Sequence, residues 1–345
     1  MKKITIELFI ATIVIASITG CANSNLQEES PITDTVEKVE RMPPGNKEVE
    51  EISLSDTFVE LSDKDLTVFY KGEDFVKSVF TAGATMLYVC GINPNGNYFL
   101  GYMQKEEDIL HEFDVDIDEG MRVFNMAIDK QNCCHILWMS VEKYVLNGQS
   151  FDRITYEKSY ITIIDSEGKL IKEIDVSEIF SSEQGRPFCF IVDEEGNYYF
   201  ENDKNLVQIL SSGTQGQVTT CKGKIEGIGM GRSGDIYCIY QKESGERELA
   251  RREESSIIPC DAEIPKADAI YAGIYAGTDS ELLLFNKDSG IFIYDGKEVE
   301  VRVPGTELPV SGSRINGYGI LSDGRLCIMT QEEGNTIFYY IPSGK

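Results

Sequence analysis

The chain has 345 residues, 41% of them hydrophobic and 10% aromatic, which is enough to bury a substantial core and excludes general disorder. Its 58 acidic side chains against 32 basic ones give a net charge of −26. That excess repels phosphate backbones and anionic headgroups, so no nucleic-acid partner is expected.

The first twenty residues read as an export signal. Lys2 and Lys3 precede a short apolar run, Leu8 to Ile18, too short to span a bilayer stably. Ile18-Thr19-Gly20-Cys21 closes it with small residues and a cysteine. This ending resembles a bacterial lipobox, which implies cleavage before Cys21 and lipidation of that residue. The domain division expected is a signal peptide over 1–20, a lipidated N-terminus and flexible tether over 21–53, and a folded domain over 54–345. Loss of Lys2, Lys3 and Glu7 with the signal leaves 30 basic and 57 acidic residues, a net charge of −27. The tether is polar, with Pro31, Pro43 and Pro44 and no sustained apolar period. A flexible run of about 30 residues spans roughly 30 Å and would hold a folded head clear of the lipid. The location expected is the outer side of the cell membrane.

From about residue 55 the pattern repeats. Apolar runs lead through Gly-bearing polar turns into second apolar runs, the signature of hairpins. Met86 to Ile92 leads through Asn93-Pro-Asn-Gly96 to Tyr98–Tyr102. Phe124–Ile128 passes through Asp129-Lys-Gln-Asn132 to His135–Trp138. Tyr160–Ile164 passes through Asp165-Ser-Glu-Gly168 to Leu170–Ile174, and Phe188–Val192 through Asp193-Glu-Glu-Gly196 to Tyr198–Phe200. Ile225–Met230 leads through Arg232-Ser-Gly-Asp235 to Ile236–Tyr240. Ile274 leads through Gly277-Thr-Asp-Ser280 to Leu282–Phe285, and Ile315–Leu321 through Ser322-Asp-Gly324 to Leu326–Met329. Leu146 to Glu157 reads as a polar insertion.

The principal turns fall near residues 95, 131, 195, 233, 279 and 323. Apart from the long interval after 131, the spacing of about 35 to 46 residues matches one four-stranded propeller blade. No amphipathic helix of several turns follows the signal, which disfavours an α/β enzyme. The fold expected is an all-β propeller of six blades, or seven if residues 54–82 form their own unit. The last repeat is one strand short. Phe58–Leu61 or Leu66–Tyr70 could supply it by pairing with residues 336–341, removing two open edges.

The lipobox, the tether and the degenerate repeat of apolar run, Asp-x-x-Gly turn and apolar run together resemble the N-terminal propeller region of clostridial-type extracellular solute-binding lipoproteins. Those proteins continue into a two-lobed α/β solute-binding domain, whereas this chain stops at Lys345. The resemblance therefore implies a stand-alone propeller lipoprotein or a shortened relative, and no transport role follows from it alone.

Chemistry-bearing motifs are few. There is no GxSxG, P-loop or HExxH, and His111 and His135 are the two histidines. Both are expected to pack or cap strands. Asp114, Asp116 and Asp118 would share one face of a strand and are the metal candidates. A calcium loop of the EF-hand type would need Gly where Glu119 stands and Glu where Asn125 stands. No metal or cofactor is therefore expected, calcium being the one considered. The single Trp138 disfavours sialidase-type Asp boxes. Nine cysteines lack any CxxC pair, and most sit in apolar runs, as reduced thiols packing like small hydrophobes do.

The first functional reading is a membrane-anchored, non-catalytic binding module. Its partner would be an extracellular ligand or an envelope protein such as a transporter. The alternative is a propeller enzyme such as a metal-dependent lactonase or lyase. No catalytic residue is assigned. Cys21→Ala should leave an unprocessed precursor that takes up no labelled fatty acid, while the natural chain incorporates it. Failure of the natural chain to be labelled removes the lipobox.

Overall fold

The computed structural model describes residues 67–341, except 74–75, 83–85, 93–97, 105–110, 114–119, 147–148, 181–186, 188, 266–272, 278–279, 287, 305–314, 321–325 and 333–334. The described residues form strands and turns with no helix. The strands are assigned in chain order. β1 is Thr67–Glu73. The first sheet holds β2 (Val76–Ala82), β3 (Met86–Ile92), β4 (Tyr98–Gln104) and β5 (His111–Glu112). The second holds β6 (Met121–Ile128), β7 (Cys134–Leu146), β8 (Gln149–Ile164) and β9 (Leu170–Asp175). The third holds β10 (Phe190–Val192), β11 (Tyr198–Asn202), β12 (Asn205–Ile209) and β13 (Gln215–Thr220). The fourth holds β14 (Lys224–Met230), β15 (Ile236–Gln241), β16 (Arg247–Glu253) and β17 (Ser256–Glu263). The fifth holds β18 (Gly273–Ala276), β19 (Leu282–Asn286), β20 (Gly290–Tyr294) and β21 (Val299–Pro304). The last holds β22 (Ile315–Ile320), β23 (Leu326–Glu332) and β24 (Asn335–Ile341), with β1 on its outer edge.

Every described pairing is antiparallel between neighbours in each sheet. The leading strands meet in rotation: β2 approaches β6, β6 approaches β10, then β14, β18 and β22, and β22 returns to β2. Sheets arranged radially about an axis, each presenting its first strand inward, make a β-propeller. The expected closure is present. β1 pairs with β24, Thr67 opposite Tyr340 and Glu73 opposite Asn335. The second of the two N-terminal segments named from the sequence, extended to Glu73, is the one that supplies the strand. Residues 67–82 thus divide between the last sheet and the first, so the seven-unit alternative has no sheet of its own there.

Burial follows the radial plan. Second strands are covered on both faces by the neighbouring sheets, so they read as continuous apolar runs. Ile236-Tyr-Cys-Ile-Tyr240 and Leu282–Phe285 are wholly buried. Outer strands such as β9 are mostly exposed. Apolar seams fill the wedges between sheets. Leu137, Met139 and Ile161 of the second sheet meet Phe190, Tyr198 and Phe200 of the third. Tyr237 and Leu249 of the fourth meet Ile274 and Leu284 of the fifth. Each fully buried side chain of this kind contributes about 1.5–3 kcal/mol.

One reading of the sequence needs correction. The turn near residue 95 joins β3 to β4, the second and third strands of its sheet, whereas those near 131, 195, 233 and 279 follow the innermost strand. The first repeat is one strand out of phase because its most apolar run, Met86–Ile92, is the second strand of its sheet. The polar insertion from Leu146 to Glu157 is built as strand. It extends β7 and β8 into a long hairpin, Val141 pairing with Ile154 and Leu146 with Gln149. A bulge at its base lets Ser140 Oγ accept the N–H groups of Glu157 and Lys158.

Close approach of inner strands depends on small residues. A Cβ on Gly229 of β14 would lie 2.1 Å from the carbonyl oxygen of Ile274 in β18, across the sheet boundary. Backbone cannot yield as a side-chain tip can. Gly229→Ala should therefore cost about 1–3 kcal/mol, read as a lower urea midpoint at unchanged slope. Gly245→Ala, where a Cβ meets nothing within 4 Å but φ is +86°, should cost only about 1–2 kcal/mol.

Candidate functional site

Alternation of strand direction places the turns after the first and third strands of a sheet at one end of the ring. Those at 129–133, 165–169, 193–197, 210–214 and 231–235 share one form. In each, the first N–H donates to the fifth carbonyl and the fourth N–H to the first carbonyl. The fourth residue has positive φ and is Gly168, Gly196, Gly213 or Gly234. Asn132 stands there in the remaining turn, at φ 62°. Asparagine tolerates this region better than other non-glycine residues.

The aspartates that open these turns fold their carboxylates back onto them. Asp165 Oδ1 accepts from Glu167 and Lys169 N–H, and Asp193 Oδ1 from Glu195 and Asn197 N–H. Asp129 Oδ1 accepts from Gln131 N–H at 2.9 Å and Cys133 N–H at 2.8 Å. Its other oxygen lies 3.0 Å from His135 Nε2, and His135 Nδ1 lies 3.0 Å from the Tyr198 hydroxyl. Tyr88 donates to the Asn132 carbonyl at 2.6 Å. Side chains from the first, second and third sheets therefore converge on one turn.

Burial works to raise the Asp129 carboxyl, but the His135 bond and the Cys133 and Gln131 N–H groups outweigh it and hold it below the ordinary range. Burial pushes the Tyr198 phenol well above its ordinary value. His135 thus stands between a carboxylate ionised at neutral pH and a protonated phenol, one bonded at each ring nitrogen. The order Asp, His, hydroxyl is that of a proton relay. His135 and Tyr198 are 3% and 1% exposed, however, so no reactant reaches them. The relay clamps the second sheet to the third.

The device recurs. The sixth residue after each turn start is a polar ring in three inner hairpins: His135, Tyr199 and Tyr237. Tyr199 donates to Asp193 Oδ2 at 3.0 Å, and Tyr237 bonds Glu281 of the next sheet. Turn meets turn as well. Lys130 pairs with Glu194, and Ser233 Oγ donates to Glu281 Oε1 at 2.6 Å. The turn-bearing end is thereby a rigid, laced rim, and it is the candidate surface for ligand recognition. The Asp-x5-His and Asp-x5-Tyr spacings were readable signals that sequence reasoning passed over.

Of the residues named from sequence, His135 packs as expected, and His111 stacks on Tyr102 with ring centroids 4.9 Å apart. Asp114, Asp116 and Asp118 lie outside the described residues, as do Cys21 and the tether. Among the described residues no group of three or more metal-binding side chains comes together. All eight described cysteines are free thiols.

No protein-family model matches the chain, and no curated protein matches it by sequence. Solved structures do match. XC5397 from Xanthomonas campestris, described as a gluconolactonase, is 12% identical, with 80% of this chain and 89% of that one covered at a TM-score of 0.52. AofleA from Arthrobotrys oligospora is 12% identical over 80% of this chain and 87% of its own at 0.51. An aldose sugar dehydrogenase from Streptomyces coelicolor in its PQQ-bound form is 9% identical over 80% and 97% at 0.49. The first two matches show a shared fold, and at 12% identity they show the fold alone.

Asp129 contributes stability above its unfolded value of about 3.9, and that contribution fades as pH falls through its lower folded value. Asp129→Asn should therefore lower the thermal midpoint at pH 7 and converge on the natural chain below about pH 4. His135→Phe, which removes the bonds to Asp129 Oδ2 and to the buried Tyr198 hydroxyl, should cost about 1–3 kcal/mol at pH 7.

Proposed function

We propose that the chain is an exported, lipid-anchored propeller of six blades acting as an enzyme on a small sugar-derived substrate, with lactone hydrolysis as its reaction. The observation that carries this reading is the match to a structure described as a gluconolactonase, which extends over 80% of this chain and not over a few strands. Ring closure through β1 and the six four-stranded sheets support the blade count. The lipobox residues and Cys21 support the anchor. Loops gathered at one end of a rigid ring are where propellers and other scaffolds carry their chemistry. A metal-assisted version would draw on carboxylates such as Asp114, Asp116 and Asp118.

A second reading, a non-catalytic module that captures a ligand or docks an envelope partner such as a transporter, has its own support. Asp129, Asp165 and Asp193 each spend their Oδ1 on their own turn, and His135 is bonded at both ring nitrogens. A pre-organised rim of this kind suits recognition with little ordering cost.

Purified chain, with and without calcium, should hydrolyse five- or six-membered sugar lactones at least tenfold faster than buffer. Calorimetric binding of a lactone or sugar without turnover assigns the second reading, and absence of both removes the sugar-derived ligand altogether.

A further inference from the structure

The third and fourth sheets share a seam lined by Cys189, Tyr199, Leu206, Cys221, Ile225, Ile228 and Cys238. Within it the Cys221 and Cys238 sulfurs lie 3.7 Å apart, although the residues belong to different sheets and stand 17 positions apart. Cys221 directly follows β13, the outermost strand of the third sheet, and Cys238 sits in the middle of β15. Both are buried, at 5% and 1% exposure.

Three observations fix this proximity. The N–H of Cys221 donates to the Lys204 carbonyl at 2.7 Å, and that of Ile225 to the Asp203 carbonyl at 2.7 Å, which ties the 221–225 connection to the turn between β11 and β12. A Cβ on Gly223 would fall 2.1 Å from the Gln241 carbonyl oxygen, so the connection runs directly along the end of β15. Cys238 lies opposite Ala250 and Ile228 within the middle of its own sheet. Neither cysteine backbone is at a fraying end.

We infer that Cys221 and Cys238 are a disulfide-forming pair that staples the outer edge of the third sheet to the fourth. A disulfide spans about 2.05 Å between sulfurs, so bonding asks for a closure of roughly 1.7 Å, within the reach of side-chain rotation. The bond would lie directly behind β13, where the chain passes from the third sheet to the fourth and β13 approaches β17. For the cell this rests on the export proposed above, since disulfides persist outside the cytoplasm. The chemistry itself does not depend on the enzymatic or binding reading.

The oxidant is a small-molecule or protein disulfide. One protein thiolate attacks a sulfur of that disulfide and displaces a thiolate. The second protein thiol then attacks the resulting mixed disulfide and releases the other thiolate. The protein loses two protons and two electrons, and the oxidant becomes two thiols. The hydrogen bond with Cys221, followed by burial, pushes the Cys238 thiol well above its ordinary value, so the reaction is slow.

The test uses the purified chain equilibrated in glutathione disulfide or in a reducing thiol, acid-quenched, alkylated when unfolded and cut with trypsin. Cleavage at Lys222 and Arg232 separates the two cysteines. The expected result is a linked pair, residues 205–222 with 233–242, two hydrogens lighter than the sum of its parts. The oxidised chain should also melt roughly 5 °C above the reduced one. Within Cys221→Ala, and again within Cys221→Ser, the oxidised and reduced midpoints should coincide. Complete alkylation of both cysteines after oxidation overturns the assignment. So does linkage of Cys238 to Cys189 or Cys260 instead, or an oxidation-dependent midpoint shift that survives both substitutions.

Discussion

Closure of the ring is the constraint on which the remaining structure depends. β1, at the start of the described chain, is the edge strand of the sheet whose other strands come last. The two ends of the described region are thus bound by the same antiparallel ladder that holds each sheet together. Without that pairing β24 would present an open edge, and only inner-strand contact would hold the last sheet to the first. With it, every sheet has a neighbour on both sides. The apolar runs of the second strands are then covered on both faces and need no alternation.

The close contact between inner strands follows from that geometry. Radial packing crowds the axis and leaves room outside. Gly229 answers the crowding by leaving no Cβ against Ile274. Outside, long side chains and turns bridge the widening gaps. Lys172 reaches the Ser211 carbonyl, and Arg252 lies over the Tyr199 ring while bonding Gln217. The Asp129–His135–Tyr198 chain matters more, because the buried His135 ring binds a partner at each nitrogen and joins two sheets.

This division bears on function. The fold class is common to proteins with different activities, so it narrows the chemistry without choosing it. The described turn carboxylates hold their own turns in shape. The acidic surface favours neutral or cationic ligands over anionic ones.

Much of this was legible in the residues alone. Asp-x-x-Gly between apolar runs names a hairpin because glycine admits positive φ and aspartate accepts the turn's N–H groups, both local effects. The spacing of those hairpins named the propeller, and the strand missing from the last repeat pointed to an N-terminal donor. Local rules could not say which of two candidate segments closes the ring. Nor could they say that the turn near residue 95 lies one strand further out than its counterparts, because an apolar strand looks the same in either place. The meeting of Asp129 and His135 with Tyr198, and of Cys221 with Cys238, was beyond reach for the same reason. Each joins positions in different sheets, and only the angle at which successive sheets pack decides which side chains share a seam.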